Sequence, residues 1–160
     1  MADMFDRQTR ARIMRAVRTA ETEPEERLAG ALKAIGLRFR RNDTSIFGKP
    51  DFSFRRARLA VFVDGDFWHG RTWFKNGAAP ATNTDFWIAK FVRNRKRDRL
   101  VDRELRRTGW SVLRLWGSEV RKDAGVSAGR VRARLRRVTS LRRLFKGDGP
   151  PDRRDRRSSA

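Results

Sequence analysis

Leu28, Ala31, Leu32 and Ile35 recur three and four positions apart, and Gly36 follows them. That period predicts one face of a helix closed by glycine. Its start reads Thr22-Glu23-Pro24-Glu25. Thr22 can cap, Glu25 stands where a capping box places its acid, and proline is tolerated in a first turn. Leu37-Arg38-Phe39-Arg40-Arg41 alternates and predicts a strand, and residues 41–49 read as a loop. Pro50 to Phe54 and Leu59 to Asp64 are apolar runs separated by the polar Arg55 to Arg58, which predicts a hairpin. Gly65 to Asn83 follows no period and is rich in Phe, Trp and Gly, so it reads as a long irregular segment. Thr84 is placed to cap a long helix ending near Arg107, with Trp87, Ile88, Phe91, Val92, Val101 and Leu105 as its apolar residues and Gly109 as its stop. Trp110 to Trp116 reads as a further strand. Strand, helix and strand in that order form a crossover, which makes the two strands parallel. Val131, Leu135 and Val138 mark a last helix.

The predicted architecture is one α/β domain over residues 21–143: a mixed central sheet, the hairpin near its centre, and helices on both faces. Residues 1–20 form a basic arm with a short amphipathic stretch at Ile13, Met14 and Val17. Residues 144–160, rich in Gly, Pro, Asp and Arg, form a basic tail expected to be disordered.

Charge changes the picture. The chain carries 40 Lys+Arg against 19 Asp+Glu, a net charge of +21. Residues 121–160 supply +10 of it and the remaining 120 residues +11, so the excess is not confined to a tail. An excess this one-sided points to a polyanion, and the preponderance of Arg suits phosphate. Nucleic acid is the implied partner. The absence of cysteine excludes disulfides and thiolate metal sites. Met1 to Arg12 lacks the apolar core of a signal peptide, and no apolar run nears the roughly 20 residues of a membrane span. A soluble cytoplasmic protein is expected.

Within this frame four residues carry candidate chemistry. Asp51 opens one strand of the hairpin, Asp64 closes the other, and His69, the only histidine, follows closely. Glu25 starts the acid-rich first helix. Carboxylates at adjacent strand ends can share a divalent cation, which relieves their repulsion. A histidine beside them can move a proton near neutral pH. Together these suit metal-assisted hydrolysis of a phosphodiester. Each has a plain alternative: a strand-start Asp, a turn residue before Gly65, a helix cap, an exposed imidazole. Phe67, Trp68, Trp73, Phe74, Phe86 and Trp87 gather around the irregular segment, as a satellite core or as a wedge for base steps. Consecutive loop residues do not easily face one core, which favours a wedge for Phe67 or Trp68.

At these residues the chain resembles the very short patch repair (Vsr) endonuclease family. The likeness runs from Met14-Arg15-Ala16-Val17 and Pro24-Glu25 through Gly48-Lys49-Pro50-Asp51, Val61-Phe62-Val63-Asp64-Gly65 and Phe67-Trp68-His69-Gly70. It continues through Phe86-Trp87, Asn94-Arg95-Lys96-Arg97-Asp98 and Gly109 to Trp116, covering about residues 3–137. The resemblance implies a restriction-endonuclease-like core of the PD-(D/E)xK class and a DNA nick 5′ to the thymine of a T:G mismatch. It implies that Asp51, helped by the main-chain carbonyl of Val63, ligates Mg²⁺, and that His69 does acid/base work or contacts phosphate. Asp64 and Glu25 would order water and the nucleophile. Phe67, Trp68 and Trp87 would form the wedge, and the arm, Met14 and Arg15 included, would grip the DNA. A monomer acting on mismatched double-stranded DNA at the nucleoid is implied.

One departure stands out. Family members commonly hold a structural zinc with cysteines and histidine, whereas the corresponding places here are Asp66, Arg71, Trp73 and, after Trp116, Gly117 and Ser118. Without thiolates the usual site is excluded, so no structural zinc is expected, and Trp73 is expected to replace the clamp by packing. Two rival functions remain: a related nickase of different specificity, for restriction or defence, and a basic DNA- or RNA-binding protein with structural carboxylates.

Overall fold

The structure, a computed structural model, describes residues 22–146, with side chains through Arg143. The arm over 1–20, with Met14 and Arg15, and the tail from residue 147 lie outside the described residues.

The elements are α1 (Glu23–Ala34), β1 (Arg40–Arg41), β2 (Phe52–Phe54), β3 (Leu59–Asp64), α2 (Arg71–Asn76), α3 (Thr84–Arg107), β4 (Ser111–Trp116), α4 (Gly117–Lys122) and α5 (Ala124–Lys146). They form a mixed four-stranded sheet in the order β1-β2-β3-β4. The hairpin pairs Phe52 with Val61 and Phe54 with Leu59. β3 and β4 run parallel, Leu59 opposite Ser111 through Asp64 opposite Trp116, as the crossover requires.

Alternation along β3 sorts its side chains between two layers. Leu59 and Val61 join Leu28 and Leu32 of α1 and Val131 of α5 in one core, while Ala60 and Phe62 join Val101 and Leu105 of α3 in the other. Helices therefore cover both faces. Only Phe91, Val101 and Leu105 of the 24-residue α3 are buried. At about 1.5–3 kcal/mol for each large apolar side chain fully removed from water, that face suffices to dock the helix, and the rest of α3 is free to carry charge.

Several local expectations are corrected. The strand predicted over residues 37–41 shrinks to Arg40–Arg41, because its partner β2 is three residues long and offers only Ser53 and Phe52. Thr22 and Glu25 do not close a capping box on the backbone; the Thr22 hydroxyl donates to the Glu25 carboxylate at 2.8 Å. Thr84 is the first helical residue rather than the cap: Asn83 takes that place at φ 55°, and the Thr84 hydroxyl donates to the Pro80 carbonyl at 2.8 Å. The segment from Gly65 to Asn83 is not wholly irregular. It contains α2, held between Gly70 and Gly77 in left-handed conformations. The short α4 between Trp116 and the last helix had no sequence signal. No helix among the described residues is long and apolar enough to cross a membrane.

Candidate active site

Toward the C-terminal ends of the parallel pair, the α3 face of the sheet changes from apolar to charged. Ala60, Val112 and Phe62 give way to Arg114 and Asp64. α3 matches this in the opposite direction. Its inward stripe reads Phe91, Asn94, Asp98, Val101, Leu105 at spacings of three and four, with two polar residues nearest the strand ends. Ligand sites of α/β sheets favour this end.

Asp51 is set by the loop before β2. The Asn42 amide bonds the Asp51 carbonyl at 3.0 Å. Buried Asp43 fastens that loop, accepting from Ser53 at 2.8 Å and from two nitrogens of Arg55 at 2.8 Å; these bonds hold its carboxyl well below the usual range, led by Arg55. The Asp51 carboxylate accepts the amide of Val63 at 2.7 Å. Burial pushes its pKa up to about 7, against the Val63 bond, with Glu25 and Asp64 adding repulsion. Hence the Val63 main-chain group that meets Asp51 is its N–H.

His69 lies in a helical turn closed by its own amide on the Gly65 carbonyl at 3.0 Å. Asn94 donates to the Trp68 carbonyl at 2.7 Å and pins the turn to α3. Gly70 ends it at φ 61°, where a Cβ would stand 2.7 Å from the Phe91 ring, so the position demands glycine on both counts. His69 Nδ1 meets Asp98 at 2.7 Å, and Nε2 faces Asp64 at 3.8 Å. With Nδ1–H donating to the carboxylate, Nε2 is left to exchange protons. Burial works to lower the His69 pKa, but Asp98 and Asp64 outweigh it and raise it. Arg114 crosses beneath: it donates to Asp64 at 2.8 Å and to Asp102 at 3.0 Å, and lies 3.6 Å from Asp98. Burial raises the Asp64 pKa in spite of Arg114 and His69.

Glu25, Asp51, Val63, Asp64, His69, Phe67 and Trp68 line one open cleft of about 970 Å³, together with Lys90, Arg97 and Arg121. The structure thus brings Glu25, Asp51, Asp64 and His69 to one cleft, whereas Trp87 is not among its lining residues. It also adds Asp98 and Arg114, which sequence reasoning passed over. Their signal was position: a charge on the inward stripe of a helix, and a charge inside a half-buried apolar strand.

The expectation that consecutive Phe67 and Trp68 do not share one set of neighbours is corrected. Phe67 and Trp68 both join one group, with ring centroids 5.3 Å apart and Trp87 at 4.8 Å and 5.9 Å. The helical turn, not a loose loop, turns consecutive side chains toward common neighbours. The group is a rim rather than a core, for Phe67 keeps 47% of its surface exposed and Phe86 50%. Lys90 lies over Trp68 at 4.7 Å. Phe74, in the helix that follows Gly70, lies under the Arg95 guanidinium at 4.0 Å.

A cleft that gathers carboxylates, a histidine and basic side chains at the ends of parallel strands suits a phosphodiester-cleaving enzyme. A family profile described as "DNA mismatch endonuclease Vsr" matches residues 2–75. Over 134 residues the chain is 46% identical to the type II nicking enzyme V.NmeDIP of Neisseria meningitidis serogroup C, covering 84% of this chain and 90% of that one. It is 41% identical over 121 residues to the DNA mismatch endonuclease Vsr of Escherichia coli (strain K12), covering 76% and 77%. It is 48% identical over 102 residues to V.HpaIIP of Haemophilus parainfluenzae, covering 64% and 72%. The chain belongs to the Vsr family of DNA endonucleases.

Proposed function

We propose that this protein is a Mg²⁺-dependent endonuclease that nicks one strand of double-stranded DNA 5′ to the thymine of a T:G mispair. The observation that carries the reading is the convergence of Asp51, Asp64 and His69 on one cleft with a half-exposed aromatic rim. The mixed sheet with Pro50-Asp51 at its hairpin supports a restriction-endonuclease-like core of the PD-(D/E)xK class.

Asp51 and the main-chain carbonyl of Val63 are the groups that would hold the cation. The donors are hard oxygens, and burial with like charges leaves Asp51 short of positive charge. Mg²⁺ fits such a place, since it takes one or two carboxylates and keeps much of its water. No ready cage of three or more acidic, His or Cys ligands occurs among the described residues, and Mg²⁺ does not require one. When bound, the ion supplies charge neutralisation at the reacting phosphate and a more acidic water.

The remaining chemistry falls to the chain. His69 exchanges a proton at Nε2, with Asp98 fixing its tautomer and orientation. Glu25 and Asp64 order water at the cleft. Phe67, Trp68 and Trp87 press on the mispair. A T:G wobble is cheaper to deform than a matched pair, so deformation contributes to selectivity. Lys90, Arg97 and Arg121 meet the phosphate backbone, and the arm with Met14 and Arg15 grips the duplex beyond the cleft. The protein works as a monomer, in the cytoplasm at the nucleoid, through one domain over residues 21–143.

A second reading, a nickase serving a restriction system, draws on relatives named type II nicking enzymes. One assay separates the two. End-labelled duplexes that differ only in carrying T:G, another mispair or none are incubated with the protein and Mg²⁺, and the cut is mapped. A nick confined to T:G, lost in Asp51→Ala while DNA binding persists, is expected. Cleavage of matched duplex at a preferred sequence would establish the second reading.

A further inference from the structure

The segment that carries His69 is also the one where the family resemblance implies a zinc clamp. The side chains present do not fit that ion: a carboxylate, a guanidinium, an indole and a hydroxyl offer no thiolate or imidazole, and Arg71 sets a permanent positive charge among them.

They form a closed polar knot instead. Arg71 Nη1 donates to Asp66 at 2.9 Å and to Ser118 Oγ at 2.6 Å, and its Nη2 donates to Glu119 at 3.0 Å. Ser118 donates to Asp66 twice, from its amide at 2.8 Å and its hydroxyl at 2.5 Å. The Arg71 amide also bonds the Asp66 carbonyl at 2.9 Å, so residues 66–71 are closed by main chain and side chain at the same two positions. Arg130 of α5 holds the other oxygen of Glu119 at 2.7 Å, and the Arg71 guanidinium lies 5.0 Å from the Trp116 ring centroid. Burial works to raise the Asp66 pKa, yet the bonds from Ser118 and Arg71 outweigh it, so Asp66 stays ionised. Trp73, expected to clamp by packing, is half-buried and lies outside this hydrogen-bonded set. His69 lies between the two fastened ends.

We propose that the Asp66–Arg71–Ser118–Glu119 knot replaces a metal as the clamp joining the His69 turn to the start of α4, with Asp66 and Arg71 as positioning residues. Arginine suits the task because its planar fork serves three acceptors from one rigid group, which an ammonium does not reproduce. The structural claim stands independently of the proposed chemistry; only its kinetic consequence rests on His69 being a working group.

The test uses the full chain with Arg71→Ala, Arg71→Lys and Ser118→Ala. Hydrogen exchange without DNA reads the clamp, and single-turnover nicking with separately measured DNA affinity reads the positioning. Arg71→Ala is expected to speed exchange over residues 65–76 while β3 stays protected. It is expected to slow nicking by roughly 10- to 100-fold, the scale of a small misplacement of a reacting group, with DNA affinity little changed. Arg71→Lys restores little of that rate. Ser118→Ala, which keeps the charges, gives a smaller change in the same direction and serves if Arg71→Ala does not fold. Stoichiometric zinc in protein purified without chelator, or unchanged exchange in Arg71→Ala and Ser118→Ala, would overturn the clamp. A loss confined to DNA affinity and rescued by lysine would make Arg71 a phosphate contact and overturn the positioning role. Absence of nicking by the unaltered protein, with the exchange effect intact, would count against the proposed function and leave the clamp standing.

Discussion

The two walls of the cleft neutralise buried charge in opposite ways. On the Asp51 wall, a half-buried carboxylate accepts one backbone N–H and has no ion pair among the described residues. On the His69 wall, Asp64 and Asp98 are met by His69 and Arg114 within the protein, and Arg114 also holds Asp102 outside the cleft lining. A buried charge without a partner is expensive, and a group in that position tends to neutralise itself. On the proposed reading the Asp51 wall takes its cation from outside, whereas the His69 wall supplies its own.

Removing the Asp51 charge is the sharpest way to break the comparison. Asp51→Asn is expected to lower nicking by about a thousandfold or more, the scale of losing several kcal/mol of transition-state stabilisation. In Mg²⁺-free buffer the same change should make the protein more stable. The folded pKa of about 7 lies above that of an unfolded aspartate. The stability from the protonated form is fully present below about pH 4 and is lost as pH rises through about 7. At pH 8 the asparagine variant should gain on the order of 2–4 kcal/mol over wild type, and at pH 4 almost nothing. Urea unfolding at the two pH values decides it; an equal effect at both would mean that Asp51 is not desolvated as described.

On the other wall, Asp98→Asn tests the internal partner. The Asp98 carboxylate raises the His69 pKa and fixes its ring. Its removal should lower the nicking rate by about 10- to 100-fold, as loss of an orienting partner does. It should also move the His69-dependent limb of the pH–rate profile to lower pH. A rate loss with an unmoved limb would reduce Asp98 to a packing residue.

Legibility in the sequence followed the length of the repeat. β3 and β4 are six residues long and α3 twenty-four, enough for apolar periodicity to declare them. α2 and α4 are six residues each, less than two helical turns, and α2 is delimited by Gly70 and Gly77 at positive φ rather than by a stripe. Asp51, Asp64 and His69 were legible because each stands out from an apolar or aromatic setting. Asp98 and Arg114 were not. Where 37% of residues are charged, an acid on a helix or an arginine in a strand resembles a solvated face. Only the register, with Arg114 beside Phe62 and Asp98 on the stripe between Phe91 and Val101, marks them as inward. The knot around Arg71 was hidden for a further reason: its bonds span 47 and 48 positions.

The smallest expected effect, on stability alone, tests whether the His69 wall is self-sufficient. Arg114→Met keeps much of the side chain's bulk over Phe62 and removes the cation from Asp64 and Asp102. Breaking a fully buried pair from one side costs roughly 3–5 kcal/mol. Arg114 retains 21% of its side-chain exposure, so water relieves part of that cost and about 2 kcal/mol is expected at neutral pH. The loss should shrink in the double variant Asp64→Asn/Arg114→Met, where no unpaired charge remains on Asp64. Mg²⁺ should not rescue the single variant, because the cation it lacks is fixed by the fold and reaches Asp98 and Asp102 together. Rescue by millimolar Mg²⁺ would show that the two walls exchange cations freely and that the contrast between them is not real.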